Sequence, residues 1–450
     1  MKTTSEIEKV SKQPVNESEM NSRWKKVRLG DLVEYKKGFA FKSVDYKNEG
    51  VRIIRISDTT YESIKDDNPI YLALESKELY KEYELMENDL IVTTVGSRPP
   101  LYDSMAGKVI RVPKEKSGSL LNQNAVLIRA KENVDQLFLY NCLKTEKYLF
   151  HIEGSVRGNA NQASITLEDL FAFEIPLPTI EEQKKISTIL STWDRAFELK
   201  EKLIEQKKAQ KKGLVQNLVK GHIRWNDSVE YKKEEIEKRV NLLRNGTIPT
   251  GYKKTKIGIL PIEWEIKKGK ELYSNYSDKK HDGTLEVLSA TQDRGIVPRS
   301  EVGIDIKYDK ESLMNYKKVE QGDFVISLRS FQGGIEYSRY KGLVSPAYTV
   351  LKNKVDMNKE FYRYLLKTET FINRLSSVTF GIRDGKQISY SDFGELYLPY
   401  PPIKEQQQIS RILFTADKEI KFLEQELAQT KKQKKGLMQQ LLTGKIRVKV

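Results

Sequence analysis

Residues 178–224 read PTIEEQKKISTILSTWDRAFELKEKLIEQKKAQKKGLVQNLVKGHIR, and residues 401–447 read PPIKEQQQISRILFTADKEIKFLEQELAQTKKQKKGLMQQLLTGKIR. The two align without a gap: Gln183 with Gln406, Gly213 with Gly436 and Arg224 with Arg447 all lie 223 residues apart. In the second copy Ile409, Leu413, Ala416, Ile420, Leu423, Leu427, Thr430, Lys434, Leu437 and Leu441 alternate at steps of four and three, one seam of a coiled coil. The first copy carries Ile186, Leu190, Trp193, Phe197, Ile204, Leu214 and Leu218 on that seam, interrupted by Lys200, Lys207 and Lys211. Pro178 and Pro401 precede each repeat, where a proline suits a helix start, and Gly221 and Gly444 stand where a helix stops. Each copy is therefore expected to be one rod, roughly 58 Å long from about Glu181 to Val219 at about 1.5 Å per residue.

The repeat divides the 450 residues into two halves, each a larger segment followed by a long helix. The expected boundaries are a disordered leader over 1–23, a first domain over 24–177, helix one over 178–224, a linker over 225–250, a second domain over 251–400 and helix two over 401–447. The N-terminal stretch is polar and lacks the apolar core of a signal peptide. No apolar run approaches the roughly 20 residues a membrane span needs, and mean hydropathy is −0.59. A soluble, cytoplasmic protein is expected, with no membrane partner. One cysteine and three histidines offer no thiolate–imidazole metal site. The net charge of +15 makes a polyanion the first partner to consider, although part of it is lysine on the helices (KKAQKK, KKQKK) and could be a solvated face.

The first larger segment reads as an α+β domain. Val51–Ser57 (VRIIRIS) is expected to be a strand ending at Asp58-Thr59-Thr60. Glu87–Val95 (ENDLIVTTV) is expected to be a tight turn followed by a strand, closed by the loop Gly96-Ser97-Arg98-Pro99-Pro100. Leu120–Ala130 reads as one strand, Val134–Phe150 as helical, and Ile165–Pro178 as a strand leading to the long helix. The stretch Gly154–Ser164 (GSVRGNANQAS) reads as neither, being polar and glycine-rich. The second segment follows the same order: Trp264 answers Trp24, Asp323 answers Asp89 and Ile388 answers Ile165, while the loops between them differ.

With those residues in view, the chain resembles the specificity (S) subunit of type I restriction–modification systems. The resemblance rests on IPLPTIEEQKKIS repeated as LPYPPIKEQQQIS, on KKGLMQQLLTGKIR echoed by KKGLVQNLVKGHIR, and on GYKKTKIGILPIEWE, VLSATQDRGIVPR and RSFQGG followed by GLVSPAYTVL. It spans nearly everything from Trp24 to Arg447. It implies two target-recognition domains in pseudo-twofold repeat and an antiparallel coiled coil of the two helices. Each domain would read one half of a bipartite, asymmetric double-stranded DNA target, and the coiled coil would set the unread spacer. It also implies two modification subunits that use S-adenosylmethionine, and restriction subunits that use ATP and Mg, with no cofactor bound by this chain.

Catalysis by the chain itself has no motif to support it. Ser97-Arg98-Pro99-Pro100-Leu101 and Tyr400-Pro401-Pro402-Ile403 do not match the [Asn/Asp/Ser]-Pro-Pro-aromatic turn of an amino-methyltransferase. Gly381–Lys386 has the wrong spacing for a phosphate loop. A self-contained methyltransferase or nuclease and a coiled-coil scaffold without DNA binding are the alternatives; a scaffold would not need two different loop sets on one frame. Loop chemistry nominates the DNA readers, because Arg suits guanine and Asn or Gln suits adenine in the major groove. In the first domain these are Asp58, Thr59, Ser97, Arg98, Arg157, Asn159, Asn161 and Gln162. In the second they are Thr291, Gln292, Arg294, Arg329, Gln332, Arg383, Lys386 and Gln387. The same residue types also cap turns and contact phosphate. Lys200, Lys207 and Lys211 break a seam that a lone helix pair would keep apolar, so they are expected to help dock the modification subunits.

Overall fold

The computed structural model describes residues 24–227, 231–303, 310–328, 330–377 and 388–450. It has two long helices, Ile180–Leu218 and Ile403–Leu441, each of 39 residues. Gly221 (φ 68°) and Gly444 (φ 71°) turn the chain out of them through the left-handed region, where a Cβ is costly. The chain divides into two compact units: the described residues up to Lys200 together with Glu426–Val450, and Glu201–Gln425. Each unit thus holds one β-rich domain, the start of its own long helix and the end of the other.

In the first unit an antiparallel sheet orders Val33–Lys37, Ala125–Ala130, Leu90–Thr93 and Val109–Arg111. The central strand LIVT is buried on both faces, which is why it reads as an unbroken apolar run. Lys25–Arg28 pairs with Glu174–Leu177 beside the helix entry. The second unit repeats the arrangement with Tyr273–Tyr276, Thr349–Asn353, Phe324–Ile326 and Glu336–Tyr337, and with Glu265–Lys268 on Tyr397–Tyr400. The linker contains a helix, Lys233–Arg244, and is followed by a hairpin of Tyr252–Thr255 with Gly258–Pro261.

Several local expectations need correction. The strand at Val51 ends at Ile54 and a 3-10 turn, Ile56–Asp58, follows. Leu120–Ala130 is two strands, split where Asn124 takes a positive φ of 68°. Val134–Phe150 contains parts of two helices, Gln136–Cys142 and Glu146–Ser155, because the Thr145 hydroxyl caps the second. Gly154–Ser164 is structured: the helix runs through Ser155, and Arg157–Asn159 and Gln162–Ser164 form a hairpin on Val95–Gly96. Polarity misled here, since the hairpin buries only Ala163 and leaves both flanking residues exposed. Within Ile165–Pro178 a short helix, Leu167–Phe171, capped by Thr166, precedes the strand Glu174–Leu177.

The helix repeat has a packing reason at its ends. In the first unit Ile186 and Leu190 enter the domain core with Leu441 and Leu442. In the second, Ile409 and Leu413 do so with Leu218 and Val219. So within each unit the start of one helix lies antiparallel to the end of the other. The buried Glu182 accepts Nε (2.6 Å) and Nη2 (2.8 Å) of Arg447. Its repeat mate, the buried Glu405, accepts Nε (2.6 Å) and Nη2 (2.9 Å) of Arg224. Gln183 Oε1 accepts the Asp135 amide and Ser187 donates to Asp135 Oδ1; Gln406 and Ser410 do the same at Asn358. Asp135 and Asn358 cap Gln136–Cys142 and Lys359–Leu365, so the repeated Glu-Gln-x-x-Ile-Ser stretch locks each long helix to its domain.

The seam lysines are engaged between helices, which corrects the premise that a lone pair has no use for them. Lys200 lies 3.5 Å from Glu426 in the first unit, Lys207 lies 2.6 Å from Glu419 in the second, and Lys211 pairs there with Asp417. At these three positions helix two supplies the carboxylate, and at its own seam residue Lys434 the roles reverse, helix one supplying Asp194. Among the described residues no helix is long and apolar enough to cross a membrane, and no group of three or more His, Cys, Asp or Glu side chains could hold a metal ion.

Candidate nucleic-acid interface

In the first unit the three-stranded sheet brings the Gly96–Pro100 loop against the hairpin of Arg157–Ser164. Arg98 ties them together: its backbone amide donates to Ala160, Nε to the Gly158 carbonyl (3.0 Å) and Nη2 to the Val156 carbonyl (2.7 Å). Arg98 therefore shapes the hairpin as much as it presents a charge. Gly158 adopts φ 102°, and a Cβ there would meet the Gln162 carbonyl oxygen at 2.3 Å, so the tight hairpin requires glycine. Arg157, Asn159, Asn161 and Gln162 are exposed around this turn, Arg157 reaching Asp169 Oδ2 at 3.1 Å. Those four side chains offer donors and acceptors to an external partner.

The other first-domain candidates are spent inside. Asp58 is buried and accepts the Arg55 backbone amide (2.9 Å) and Arg55 Nη2 (2.6 Å). Thr59 is buried, its hydroxyl donating to the Ile56 carbonyl at 2.7 Å, and the buried Ser97 shares a hydrogen bond with Ser104 at 2.8 Å. These residues build the loops from which neighbours project.

Two lysines that sequence reading passed over lie beneath those loops. Lys108, about 1% exposed, donates to the Thr59 carbonyl (2.8 Å) and to the Asp103 carbonyl. Lys144 donates to the Tyr61 carbonyl at 2.6 Å, with its ammonium 3.9 Å from the Tyr61 ring centre. Burial pushes both ammoniums down to about 8. The Tyr61 amide donates to Asp103 Oδ1 (2.8 Å), and its ring lies 5.6 Å from that of the exposed Tyr102. Burial raises the Tyr61 phenol to about 12.

In the second unit Thr291 closes the turn of the hairpin Leu288–Thr291 with Gly295–Pro298, donating to the Gly295 carbonyl and accepting the Arg294 amide. Gln292 and Gln332 are exposed and meet at 3.5 Å, which brings two separate loops together. Arg294 is exposed and faces Glu301 at 3.7 Å. Arg329, Arg383, Lys386 and Gln387 lie outside the described residues. Lys367, also unforeseen, donates to the carbonyls of Gln292 (3.0 Å) and Gly333 (2.8 Å) and to Glu336 Oε1 (2.7 Å). Burial raises the Glu336 carboxyl to about 7 despite Lys367. A signal for both lysines was present, because Leu-Lys-Thr-Glu occurs at 143–146 and again at 366–369, at the helix offset of 223.

A model of the type I restriction modification DNA specificity domain family matches residues 21–208 and again 262–432. The chain belongs to that family. It is 26% identical over 444 residues to the putative type I restriction enzyme MjaX specificity subunit of Methanocaldococcus jannaschii, covering 96% of this chain and 95% of that one. It is 27% identical to the MjaVIII specificity subunit of the same organism, covering 95% and 93%. The EcoBI specificity subunit of Escherichia coli is 22% identical, covering 87% and 79%. Among solved structures, the type I restriction–modification S subunit from M. genitalium superposes with a TM-score of 0.50 at 18% identity, covering 96% of this chain and 98% of that chain. A chain from a structure concerned with complex assembly and conformational transition of the type I R-M system gives 0.53 at 17% identity, covering 94% and 99%. At these identities the structures speak for the fold: a specificity-subunit fold with two α+β domains and two long helices.

Proposed function

We propose that this chain is the DNA sequence-specificity subunit of a type I restriction–modification complex, each domain reading one half of a bipartite, asymmetric duplex target. The observation that carries the reading is one frame built twice with different loops. The same sheet order and the same Glu–Arg clasp occur in both units, while one presents Arg157, Asn159, Asn161 and Gln162 and the other Gln292, Arg294 and Gln332. A shared frame gives both domains one docking geometry, and dissimilar polar loops give them different base preferences. The net charge of +15 supports a phosphate-dominated affinity that falls with salt.

In this reading the long helices set the unread spacer and, with their exposed faces, dock two modification subunits. Those subunits bind S-adenosylmethionine and methylate adenine after flipping it, and restriction subunits supply the ATP- and Mg-dependent nuclease. This chain binds no cofactor, performs no catalysis and works in the cytoplasm.

Mapping methylated adenines in DNA from cells carrying this chain with its modification subunit tests the proposal. A bipartite motif with a fixed gap is expected, and exchanging residues 24–175 for those of a relative changes one half of it only. A short contiguous motif, or none, refutes the reading. Lengthening both helices by the same few residues is expected to alter the gap and leave both halves unchanged.

A further inference from the structure

Lys144 and Lys367 occupy equivalent places, 223 residues apart, each just before a threonine that caps the next helix. Thr145 accepts the Tyr148 amide and Thr368 the Phe371 amide, both at 3.3 Å. From that fixed point each lysine turns away from its helix and ends on the backbone of a loop distant in sequence. Lys144 reaches the Tyr61 carbonyl, 83 residues away, and Lys367 reaches the Gln292 carbonyl, 75 residues away. The second of those loops carries the exposed candidate reader Gln292, beside Gln332, while the first presents Glu62, Ser63 and Lys65 at the surface, Thr59 itself being buried.

A lysine is an expensive way to hold a loop if stability is the only purpose. A part-buried ammonium loses hydration, and an apolar residue would pack there at lower cost. What the ammonium offers is three donors on a stem long enough to gather separate carbonyls. Lys367 uses all three, on Gln292, Gly333 and Glu336, and so fixes the hairpin turn, the short helix Ser330–Gly333 and the strand Glu336–Tyr337 relative to one another. The contact between two of these pieces is close: a Cβ on Gly333 would lie 2.8 Å from Gln292 Cγ. Lys144 holds the Tyr61 loop through one such bond, to the Tyr61 carbonyl, with its ammonium against the Tyr61 ring, and Lys108 and Asp103 hold the same loop at the Thr59 carbonyl and the Tyr61 amide.

We propose that Lys144 and Lys367 are positioning residues for sequence readout, each orienting one domain's recognition loop through its backbone carbonyl without touching DNA itself. The inference rests on the DNA-specificity reading above. Base discrimination depends on side-chain donors being held in place, so a loosened loop keeps its phosphate contacts and loses selectivity among bases.

The test uses the full chain with its modification subunits, scoring methylated motifs in cells that carry Lys144→Met or Lys367→Met. Lys144→Met is expected to relax one half of the motif and Lys367→Met the other, with preference at a loop-read base falling roughly tenfold, as for the loss of one bidentate pair. Salt-dependent binding to non-specific duplex stays unchanged. Hydrogen exchange of the amides at 59–65 rises in Lys144→Met, and at 291–295 in Lys367→Met. Lys144→Arg and Lys367→Arg, which retain the donors, recover most of the selectivity, and they also serve if a Met variant fails to fold. An unaltered motif in folded Met variants overturns the proposal, as does equal relaxation of both halves by either variant. If the unsubstituted chain specifies no bipartite motif, the underlying reading has failed instead.

Discussion

The two units solve the same packing problem with different polar partners, and the differences fall at matching positions. Glu405 accepts Arg224 and also Trp264 Nε1 at 2.8 Å, so one carboxylate satisfies a guanidinium and an indole. Among the described residues Glu182 accepts from the side chain of Arg447 only and the indole of Trp24 meets no hydrogen-bond acceptor; the guanidinium lies 5.2 Å from the Trp24 ring centre. Below the loops, Lys367 meets the buried Glu336, whereas Lys144 meets a carbonyl and a tyrosine ring. Strand register explains that swap. Ile91 pairs with Ile110 in one sheet and its counterpart Val325 pairs with Glu336 in the other, so an isoleucine position has become a carboxylate beneath the lysine. A frame defined by backbone pairing and caps tolerates exchange of its polar partners, provided each buried donor or acceptor is met locally.

The clasps give the largest expected contrast. Glu405→Ala leaves a half-buried guanidinium and a fully buried indole N–H without their acceptor, and is expected to destabilise the second unit by about 4 kcal/mol. Glu182→Ala frees an arginine whose side chain is 37% exposed and able to find water, so about 2 kcal/mol is expected. Urea unfolding of the two variants measures the difference, and equal losses would break the asymmetry inferred from Trp264.

The buried and part-buried ionisable groups below the loops, Glu336 in one unit and Lys108 with Lys144 in the other, give the two units opposite responses to pH. Glu336 titrates near 7 in the fold against 4.5 ordinarily, so the folded state binds the extra proton between those values. The stability it contributes is present below about 4.5 and is lost as pH rises through 7. Lys108 and Lys144 titrate near 8 in the fold against 10.5, so the unfolded chain binds the extra protons between those values. Stability of the first unit is therefore expected to rise from pH 8 towards 10.5, each effect being on the order of 1–3 kcal/mol. Hydrogen exchange at Leu90–Thr93 and at Phe324–Ile326, corrected for intrinsic rates, reads each unit separately. Glu336→Gln should flatten the acidic-side slope of the second unit alone, and Lys108→Met with Lys144→Met the alkaline slope of the first. A shared slope would mean that the units do not titrate independently.

These contrasts also show what a single sequence can disclose. The rod of helix one was readable to within a residue, about Glu181–Val219 against Ile180–Leu218, because caps, periodicity and a gapless repeat agree, whereas the expected boundaries at 224 and 447 each lie six residues past the last helical residue, Leu218 and Leu441. The domain frame was readable through Trp24, Asp89 and Ile165 and their counterparts. The hairpin at Arg157–Ser164 was not, because its strands are short, mostly exposed and held from outside by Arg98, which leaves no alternation to detect. Asp58, Thr59 and Ser97 have the composition of readers, yet in the fold their polar atoms are turned to local partners, a distinction that needs coordinates. Lys144 and Lys367 lie between these cases: the repeated Leu-Lys-Thr-Glu marked the place, but the long reach to Tyr61 and Gln292, on which the proposed positioning role rests, needs coordinates.

The smallest effect concerns the seam, where Lys200, Lys207 and Lys211 break the apolar stripe of helix one. If they serve the helix pair, each should couple measurably to its acidic partner. If they serve an external subunit, the coupling should vanish. Lys207 with Glu419 is the cleanest pair, 2.6 Å apart with half-exposed side chains, and a double-mutant cycle to alanine is expected to give about 0.2–1 kcal/mol, falling with added salt. Lys211 should couple more strongly, because Asp417 also accepts the Tyr364 hydroxyl (2.6 Å) and Arg363 Nη2 (3.0 Å) and is held below the usual carboxylate range although burial opposes it. Lys200, 3.5 Å from Glu426, should couple least. That order, Lys211 above Lys207 above Lys200, follows from local geometry alone. Zero coupling at all three would return these lysines to the modification subunits, whereas the graded series would leave exposed side chains such as Leu199 and Phe422, 223 residues apart on the two helices, as the better docking candidates.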